Sequence, residues 1–280
     1  MKKILLLSSA IASLGFATAS NAAIILGGDA ASQASADSIL DIVFAIDTSG
    51  SMSDDILAIS TVARDVIEGL QCTDSNVYVR ARFFGNVGAA AGVFDESLRG
   101  FILANGGTVP ANFTDTEDNG PAVSSIISNS SLFFTDDSVG SQTYYKAVVS
   151  IGDEGTLNGS PVLADDWAAA YDANQAAIAS DTLLFSWITD DPFAGVPALF
   201  EAMAEGGANP FGGAALGATG GTFVQSGASG GPDGIANTLQ DIICTAGSGG
   251  TGVPDGGSTF LLLAPAVFGM FAFGRRMQKK

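Results

Sequence analysis

The feature that most constrains the fold is a nearly continuous apolar run at residues 39–46, Ile-Leu-Asp-Ile-Val-Phe-Ala-Ile. A run with so little polar alternation is typical of a strand in the middle of a sheet, where helices cover both faces. Residues 54–70 follow with apolar side chains at helical spacing: Ile56, Ile59, Ala63, Val66, Ile67 and Leu70. The pattern therefore predicts a buried strand that leads directly into an amphipathic helix.

Strand-like and helix-like segments alternate along the rest of the chain. The predicted strands lie at 77–84, 146–151, 182–188 and 220–224, and the predicted helices begin at residues 121, 196 and 234. Residues 92–103 are interpreted as an edge strand or hairpin partner, and the acidic pair at 165–166 as a solvated turn. Such alternation predicts an α/β fold with a doubly wound, mostly parallel central sheet that is flanked by helices on both faces. We assign it to residues 39–247, after a loose leader at 23–38.

The N-terminal residues 1–22 have the three parts of a secretory signal peptide. Lys2 and Lys3 precede an apolar stretch, and small residues follow it. Ser20 and Ala22 suit the two specificity positions of a signal peptidase, so cleavage is expected near Ala22. A transmembrane anchor is the alternative, although Ser and Gly residues interrupt the short apolar run.

The C-terminal residues follow a different order. A linker at 248–257 precedes an apolar segment at 258–274, and residues 275–280 form a basic tail. The 17 apolar-rich residues reach the lower limit for a helix that spans a bilayer. Because cytoplasmic ends of spanning helices are enriched in Lys and Arg, the basic tail is expected on the cytoplasmic side of the inner membrane.

The charge of the chain is strongly negative. It has 11 basic and 29 acidic residues, and only five of the basic residues lie between residues 23 and 251, against 28 acidic residues. This segment has a net charge of −23, which repels nucleic acid and anionic lipid and favours the binding of cations. We therefore expect no nucleic-acid partner.

Two cysteines, Cys72 and Cys244, occur in a chain that is expected to reach an oxidising compartment. Disulfides persist in such compartments, so the two residues are expected to pair. A bridge over so long a loop stabilises by up to about 5 kcal/mol in the chain-entropy model. Two buried free thiols are the alternative.

The sequence Asp47-Thr48-Ser49-Gly50-Ser51 directly follows the first predicted strand. One carboxylate and two hydroxyl groups at alternating positions can converge on one point in a tight loop. Oxygen ligands of this kind suit a hard cation such as Mg²⁺, Mn²⁺ or Ca²⁺. Open parallel sheets bind ligands at the carboxyl ends of their strands, which is where this loop lies. Capping of the helix that follows is the alternative role for Asp47 and the serines.

These residues carry a family resemblance. The segment Asp-Ile-Val-Phe-Ala-Ile-Asp-Thr-Ser-Gly-Ser-Met at 41–52 resembles the opening of a von Willebrand factor A (VWA) domain. Residues 147–155 resemble the family's strand that ends in a metal-site Asp, and residues 202–206 and 220–224 resemble its late helix, Gly-Gly turn and strand. The resemblance implies a doubly wound sheet and a metal-ion-dependent adhesion site, abbreviated MIDAS.

The resemblance also implies which residues hold the metal. Asp47, Ser49, Ser51 and Asp153 match the family's ligands, with Mg²⁺ as the expected cation and Mn²⁺ or Ca²⁺ as alternatives. The family uses a further Thr, for which Thr116 is the choice, with the rivals Thr108 and Thr114. Two acidic neighbours, Glu117 and Asp118, could replace or assist it. The resemblance also implies that the helix at 54–70, which Cys72 follows, and the last helix, which Cys244 ends, are neighbours on one face of the fold.

The C-terminal tail resembles the PEP-CTERM class of bacterial sorting signals. The motif residues are Val253, Pro254, Asp255 and Gly256, followed by the apolar segment and the basic tail. This resemblance implies processing by an exosortase-like enzyme and a final location in the cell envelope, at the cell surface or in the extracellular matrix of a Gram-negative-type bacterium. A plain C-terminal membrane anchor is the alternative.

Together these features predict an exported binding or adhesion module rather than an enzyme. Its partner would be an acidic protein or polysaccharide whose carboxylate completes the coordination of the cation. A structural envelope or matrix scaffold, in which the metal only stabilises loops, is the second hypothesis. The chain has no histidine, which excludes Ser-His-Asp and Cys-His catalysis and His-ligated zinc. A hydrolase that uses carboxylates alone is the third hypothesis.

Overall fold

The computed structural model describes residues 23–30, 32–73, 76–189 and 192–251. The predicted signal peptide (1–22), the sorting motif Val253 to Gly256, the apolar segment (258–274) and the basic tail (275–280) lie outside the described residues. Among the described residues, no helix has both the length and the apolar character needed to cross a membrane.

The described residues form an α/β fold around one six-stranded sheet. The strands are β1 (Ile25–Gly27), β2 (Ser38–Ile46), β3 (Val77–Gly85), β4 (Thr143–Gly152), β5 (Leu183–Ile188) and β6 (Phe223–Gln225). The helices are α1 (Ser53–Glu68), α2 (Leu98–Ala104), α3 (Asn119–Ser128), α4 (Ala164–Ala179), α5 (Val196–Glu205) and α6 (Gly231–Gly247). The strand order is β1-β3-β2-β4-β5-β6, and every strand pair is parallel except β1 with β3. The prediction of a mostly parallel α/β sheet is confirmed.

Strand β2 lies in the middle of the sheet, as its apolar sequence predicts. It pairs with β3 and β4 along its whole length, and all nine of its residues are buried. Its side chains alternate between two hydrophobic cores, with Phe44 and Ile46 in one and Val43 and Ala45 in the other. Both faces of β2 are therefore covered, which explains why its sequence shows no polar alternation.

Helices cover both faces of the sheet. On one face, α1 contributes Ile59 and Ile67 and α6 contributes Leu239 to one core. On the other face, α2, α3, α4 and α5 pack around a second core that includes Trp167 and Phe200. This two-sided covering is consistent with a Rossmann-like arrangement.

The disulfide between Cys72 and Cys244 is present and spans 172 positions of sequence. It joins the segment after α1 to α6, and these two helices pack against each other. Near it, Ser38 Oγ at the start of β2 donates to the carbonyl oxygen of Gly247, 2.7 Å away. The bridge therefore lies toward the amino ends of the parallel strands, away from the edge that carries Asp47.

The expectation of an edge strand or hairpin partner at 92–103 is wrong. This segment forms a short 3₁₀ turn at Gly92–Phe94 and then the helix α2. Leu98, Phe101 and Ile102 have the spacing of one helical face and are all buried. Ser97 caps the helix, since its Oγ accepts a hydrogen bond from the Gly100 amide at 3.2 Å.

The segment interpreted as a loose leader contributes β1 to the sheet edge. Ile25 is buried, and β1 pairs antiparallel with β3. Gly27 permits a close approach to α1, because a Cβ there would lie 1.8 Å from the carbonyl oxygen of Ile67. Part of residues 23–38 is therefore built into the fold.

Helix α4 replaces the solvated turn that was expected at 165–166. Asp166 is buried, and its carboxylate accepts hydrogen bonds from the amides of Leu157 and Leu163, both at 2.8 Å. The helix is rich in alanine, so its apolar periodicity is weak in the sequence. Ala169 packs so closely that a Cβ on Gly120 of α3 would lie 2.8 Å from its methyl group.

Candidate metal centre

The predicted metal ligands gather at the carboxyl edge of the sheet. Asp47 directly follows β2, and its amide donates to the carbonyl oxygen of Ile151 in β4 at 2.9 Å. Asp153 directly follows β4. Because β2 and β4 are parallel neighbours in register, their ends bring these two carboxylates to the same part of the edge.

Hydrogen bonds connect four of the five predicted ligand residues. Oδ1 of Asp47 accepts from the Ser49 amide at 2.6 Å. The hydroxyl oxygens of Ser49 and Ser51 lie 2.9 Å apart, and Ser51 Oγ donates to Oδ1 of Asp153 at 3.3 Å. Asp47, Ser49, Ser51 and Asp153 therefore form one contiguous group of oxygen atoms, which we call the loop cluster.

Asp47 is the most deeply placed member of the loop cluster. It is fully buried, and its Oδ2 has no hydrogen-bond partner among the described residues. Burial raises the pKa of Asp47 well above its ordinary value; hydrogen bonds from Ser49 oppose this, and the charges of Asp153 and Glu117 add to it. A buried acceptor without a donor is costly. A cation near Oδ2 would remove that cost, so the donor set fits a hard metal ion.

Asp153 of the loop cluster and its neighbour Glu117 also have raised pKa values. Burial raises the pKa of Asp153, against a lowering contribution from its hydrogen bond with Ser51. The pKa of Glu117 rises to about 7 because of burial and then the charges of Glu154, Asp115, Asp153 and Asp118. This edge of the sheet therefore concentrates negative charge, which a bound cation would offset.

The position of the predicted Thr ligand differs from that of the other four. Thr116 donates its hydroxyl to Oδ1 of Asp115 at 3.2 Å, and its carbonyl oxygen accepts from Asn86 Nδ2 at 3.0 Å. No hydrogen bond between its hydroxyl and the loop cluster occurs in the described part of the chain. Its role as a ligand stays a prediction.

Backbone hydrogen bonds define the positions of Thr114 and Thr108, the two other threonines predicted as possible ligands. Thr114 and Asp115 donate their amides to Oδ2 of Asp118, each at 2.6 Å, so this buried carboxylate organises the loop before α3. Thr108 pairs through its backbone with the side chain of Asn129, which follows α3. The length of α3, about 15 Å at 1.5 Å per residue, separates Thr108 from the end of the helix that lies near Asp47.

Two residues at this edge were not identified from the sequence. Asn86 follows β3, Asn119 begins α3, and both side chains are fully buried. Asn86 Nδ2 donates to Oδ1 of Asn119 at 3.0 Å. The only signals in the sequence were a polar residue directly after a strand, for Asn86, and a polar residue at the start of a helix, for Asn119; both are also common without any function.

An open cavity of about 500 Å³ adjoins the loop cluster. Ser51 and Asp153 belong to both, so the loop cluster is accessible from this side. The remaining lining comes from the first turn of α1 and from two later loops: Asp54, Asp55, Phe193, Ala228 and Ser229. The cavity gives a small group room to approach Ser51 and Asp153 from solvent.

The described residues contain no group of three or more Cys, Asp or Glu side chains spaced to hold a metal by themselves. Any cation at the loop cluster would therefore depend on the Ser49 and Ser51 hydroxyls as well as on Asp47 and Asp153. No known family model matches the chain, and a search of characterised proteins also finds no match.

Proposed function

We propose that this protein is a VWA-type binding module that holds a divalent cation at the loop cluster. The main support is the fully buried Asp47: its Oδ2 has no partner among the described residues, and its Oδ1 belongs to a hydrogen-bonded group with Ser49, Ser51 and Asp153. Thr116 is the proposed fifth ligand, with Thr114 as its alternative. In this proposal the doubly wound sheet is the VWA fold.

The proposed cation is Mg²⁺, with Mn²⁺ or Ca²⁺ as alternatives. The donor set consists of two carboxylates and two hydroxyls, which are the oxygen ligands that hard cations prefer. The two carboxylates formally neutralise a divalent cation, and four protein ligands leave coordination positions of a six-coordinate ion such as Mg²⁺ open to an external carboxylate. Asp47 and Asp153 bind the cation through their carboxylates, and Ser49 and Ser51 bind it through their hydroxyls.

The proposed partner is a protein or polysaccharide that presents a carboxylate. Ser51 is exposed and lines the adjoining cavity with Asp153, so a partner group could reach the coordination sphere. Without a cation, the net charge of −23 on residues 23–251 would repel such a partner. Binding is therefore expected to depend on the metal.

A structural scaffold is the second candidate function. The complete burial of Asp47 and the near-complete burial of Asp153 favour it, since a metal enclosed by its own residues would only stabilise loops. The two functions differ in whether a carboxylate from another molecule reaches the cation. In both functions the protein binds and does not catalyse a reaction.

The proposed location is the cell envelope, the cell surface or the extracellular matrix. The disulfide between Cys72 and Cys244 supports an oxidising compartment. The signal peptide, the handling of the motif at Val253 to Gly256 by an exosortase-like enzyme, and the insertion of residues 258–274 into the inner membrane before processing are part of this proposal.

Calorimetric titration of Mg²⁺, Mn²⁺ and Ca²⁺ into the purified protein tests the metal site. We expect binding at one site that Asp47→Asn abolishes. Asp41→Asn is a matched control, because Asp41 is a buried carboxylate of the same strand that instead pairs with Arg80 at 2.6 Å. The control should lower stability but bind the cation as the wild type does. A folded wild type that binds no cation would refute the metal site.

A further inference from the structure

Two buried amides lie beneath the loops that carry the candidate metal centre. Asn86 Nδ2 donates to Oδ1 of Asn119 and also to the carbonyl oxygen of Thr116, both at 3.0 Å. The backbone amide of Asn86 donates to the carbonyl oxygen of Ile46, the residue before Asp47, at 2.8 Å. The pair therefore connects the ends of β2 and β3 with the loop that enters α3.

The side-chain amide of Asn119 has a hydrogen-bond donor without an acceptor in the described part of the chain. Its Oδ1 is occupied by Asn86, whereas its Nδ2 is buried and has no acceptor among the described residues. Its partner Asn86 also has a buried acceptor, Oδ1, without a donor. Asn86 Nδ2 donates to the carbonyl oxygen of Thr116 and to Oδ1 of Asn119. These two bonds fix the orientation of both side-chain amides and leave Asn119 Nδ2 without an acceptor from the residues that the structure describes.

Asn119 and Asp47 both lie against Gly152. A Cβ on Gly152 would lie 2.5 Å from Nδ2 of Asn119 and 3.5 Å from Cβ of Asp47. One of these side chains holds a buried donor without an acceptor, and the other holds a buried acceptor, Oδ2, without a donor. The two groups are complementary and make no direct hydrogen bond with each other, and buried polar groups of this kind are commonly paired through an ordered water.

We propose that Asn119 is a positioning residue for Asp47. Its Nδ2 donates to one buried water, which in turn donates to one lone pair of Asp47 Oδ2 and leaves the second lone pair for the cation. Asn86 holds Asn119 in the orientation that this requires. Hydrogen-bonded partners of a metal ligand fix its direction, and their loss commonly costs 10- to 100-fold in metal affinity.

Part of this inference rests on the proposed function and part does not. The water-mediated contact between Asn119 and Asp47 concerns the protein without metal, whereas the effect on affinity requires that the loop cluster binds a cation. A simple packing role for Asn119 is the competing explanation. Leucine has the same number of side-chain heavy atoms as asparagine, the same branch at Cγ and no polar atoms, so Asn119→Leu removes the donor. Its methyl groups are bulkier, an effect that a control at another fully buried asparagine must reproduce.

Asn174→Leu provides a matched control. Asn174 is fully buried in α4, and its Nδ2 donates to the carbonyl oxygens of Met203 and Gly217, at 2.9 and 2.6 Å. By calorimetry with Mn²⁺, we expect Asn119→Leu to weaken binding at least tenfold. The control should bind as the wild type does, even if it unfolds at a lower temperature. Equal affinity in wild type and Asn119→Leu would overturn the positioning role.

A second measurement needs neither a cation nor a variant of Asn119. In the metal-free protein, the side-chain NH₂ resonances of Asn119 should shift on Asp47→Asn and stay in place on Asp41→Asn. If the wild type binds no cation, the proposed function fails while this measurement still decides the contact. Resonances that do not respond to Asp47→Asn would overturn the inference, whatever the calorimetry shows.

Discussion

Ser51 donates a hydrogen bond of 3.3 Å to the carboxylate of Asp153, a residue 102 positions further along the chain. The contact joins the loop after β2 to the loop after β4. It exists because the two strands are parallel neighbours, so their carboxyl ends meet. A short motif and a distant carboxylate thereby become one site, which leads to four predictions.

The first prediction concerns Ser51→Ala. The hydroxyl is a proposed metal ligand on an exposed residue, so its loss should weaken Mn²⁺ binding by at least tenfold and change the free energy of unfolding by less than about 0.5 kcal/mol. Ser53→Ala, an exposed serine at the first position of α1, is the control and should change neither quantity. Calorimetry and urea unfolding measure the two effects. Unchanged Mn²⁺ affinity would remove Ser51 from the ligand set.

The second prediction concerns the stability of the metal-free protein as a function of pH. Glu117 has a pKa of about 7 in the fold against 4.5 ordinarily, so the folded state favours the protonated form. Its contribution to stability is fully present below pH 4.5 and is lost as the pH rises through about 7. The raised pKa values of Asp47 and Asp153 act in the same direction.

Urea unfolding in a chelating buffer at pH 5 and pH 8 measures this dependence. Glu117→Gln should reduce the loss of stability between the two pH values, and Glu201→Gln, a change on the exposed face of α5, should leave it as in the wild type. With saturating Mg²⁺ the trend should weaken or reverse, because the cation binds the ionised carboxylates. If the stability of Glu117→Gln changes with pH as that of the wild type does, Glu117 is not the source of the pH dependence.

The third prediction concerns Gly152→Ala. The added Cβ would lie 2.5 Å from Asn119 Nδ2, so the change should displace Asn119 or Asp47 and lower both stability and cation affinity. Gly234→Ala in α6 is the control, since its Cβ would meet nothing within 4 Å. That helical change should stabilise by roughly 0.5–1 kcal/mol and leave cation binding intact. Thermal unfolding and calorimetry distinguish the two variants. If Gly152→Ala changes neither the melting temperature nor the cation affinity, Asn119 and Asp47 do not pack tightly against Gly152.

The fourth prediction concerns the disulfide. Replacing Cys72 and Cys244 together by serine should cost about 2–5 kcal/mol of unfolding free energy. The bridge lies toward the opposite edge of the sheet from Asp47, so the cation affinity of the folded variant should equal that of the wild type. Guanidinium unfolding and calorimetry at a temperature where the variant is folded measure both. Loss of cation binding without loss of stability would mean that α6 influences the metal centre.

Much of the candidate site could be predicted from the sequence. Asp47, Ser49 and Ser51 are close along the chain, so a strand followed by a helix is enough to bring them into one loop. Asp153, far along the chain, was predicted only through the resemblance of residues 147–155 to the VWA strand that ends in a metal-site Asp. Thr116 could not be settled in this way, since three threonines precede α3 and only their contacts separate them.

The sequence by itself determined the α/β class and the central position of β2, and it predicted the pairing of the two cysteines that the structure shows. These depend on local apolar periodicity or on there being only two cysteines, which one chain displays without reference to its fold. Only the tertiary structure decided that Ile25–Gly27 forms an edge strand, that the buried Asp166 accepts from the amides of Leu157 and Leu163, and that Asn86 donates to Asn119. The physical reason is that these features depend on burial and on donors and acceptors supplied by distant segments, and neither is encoded in the spacing of neighbouring residues.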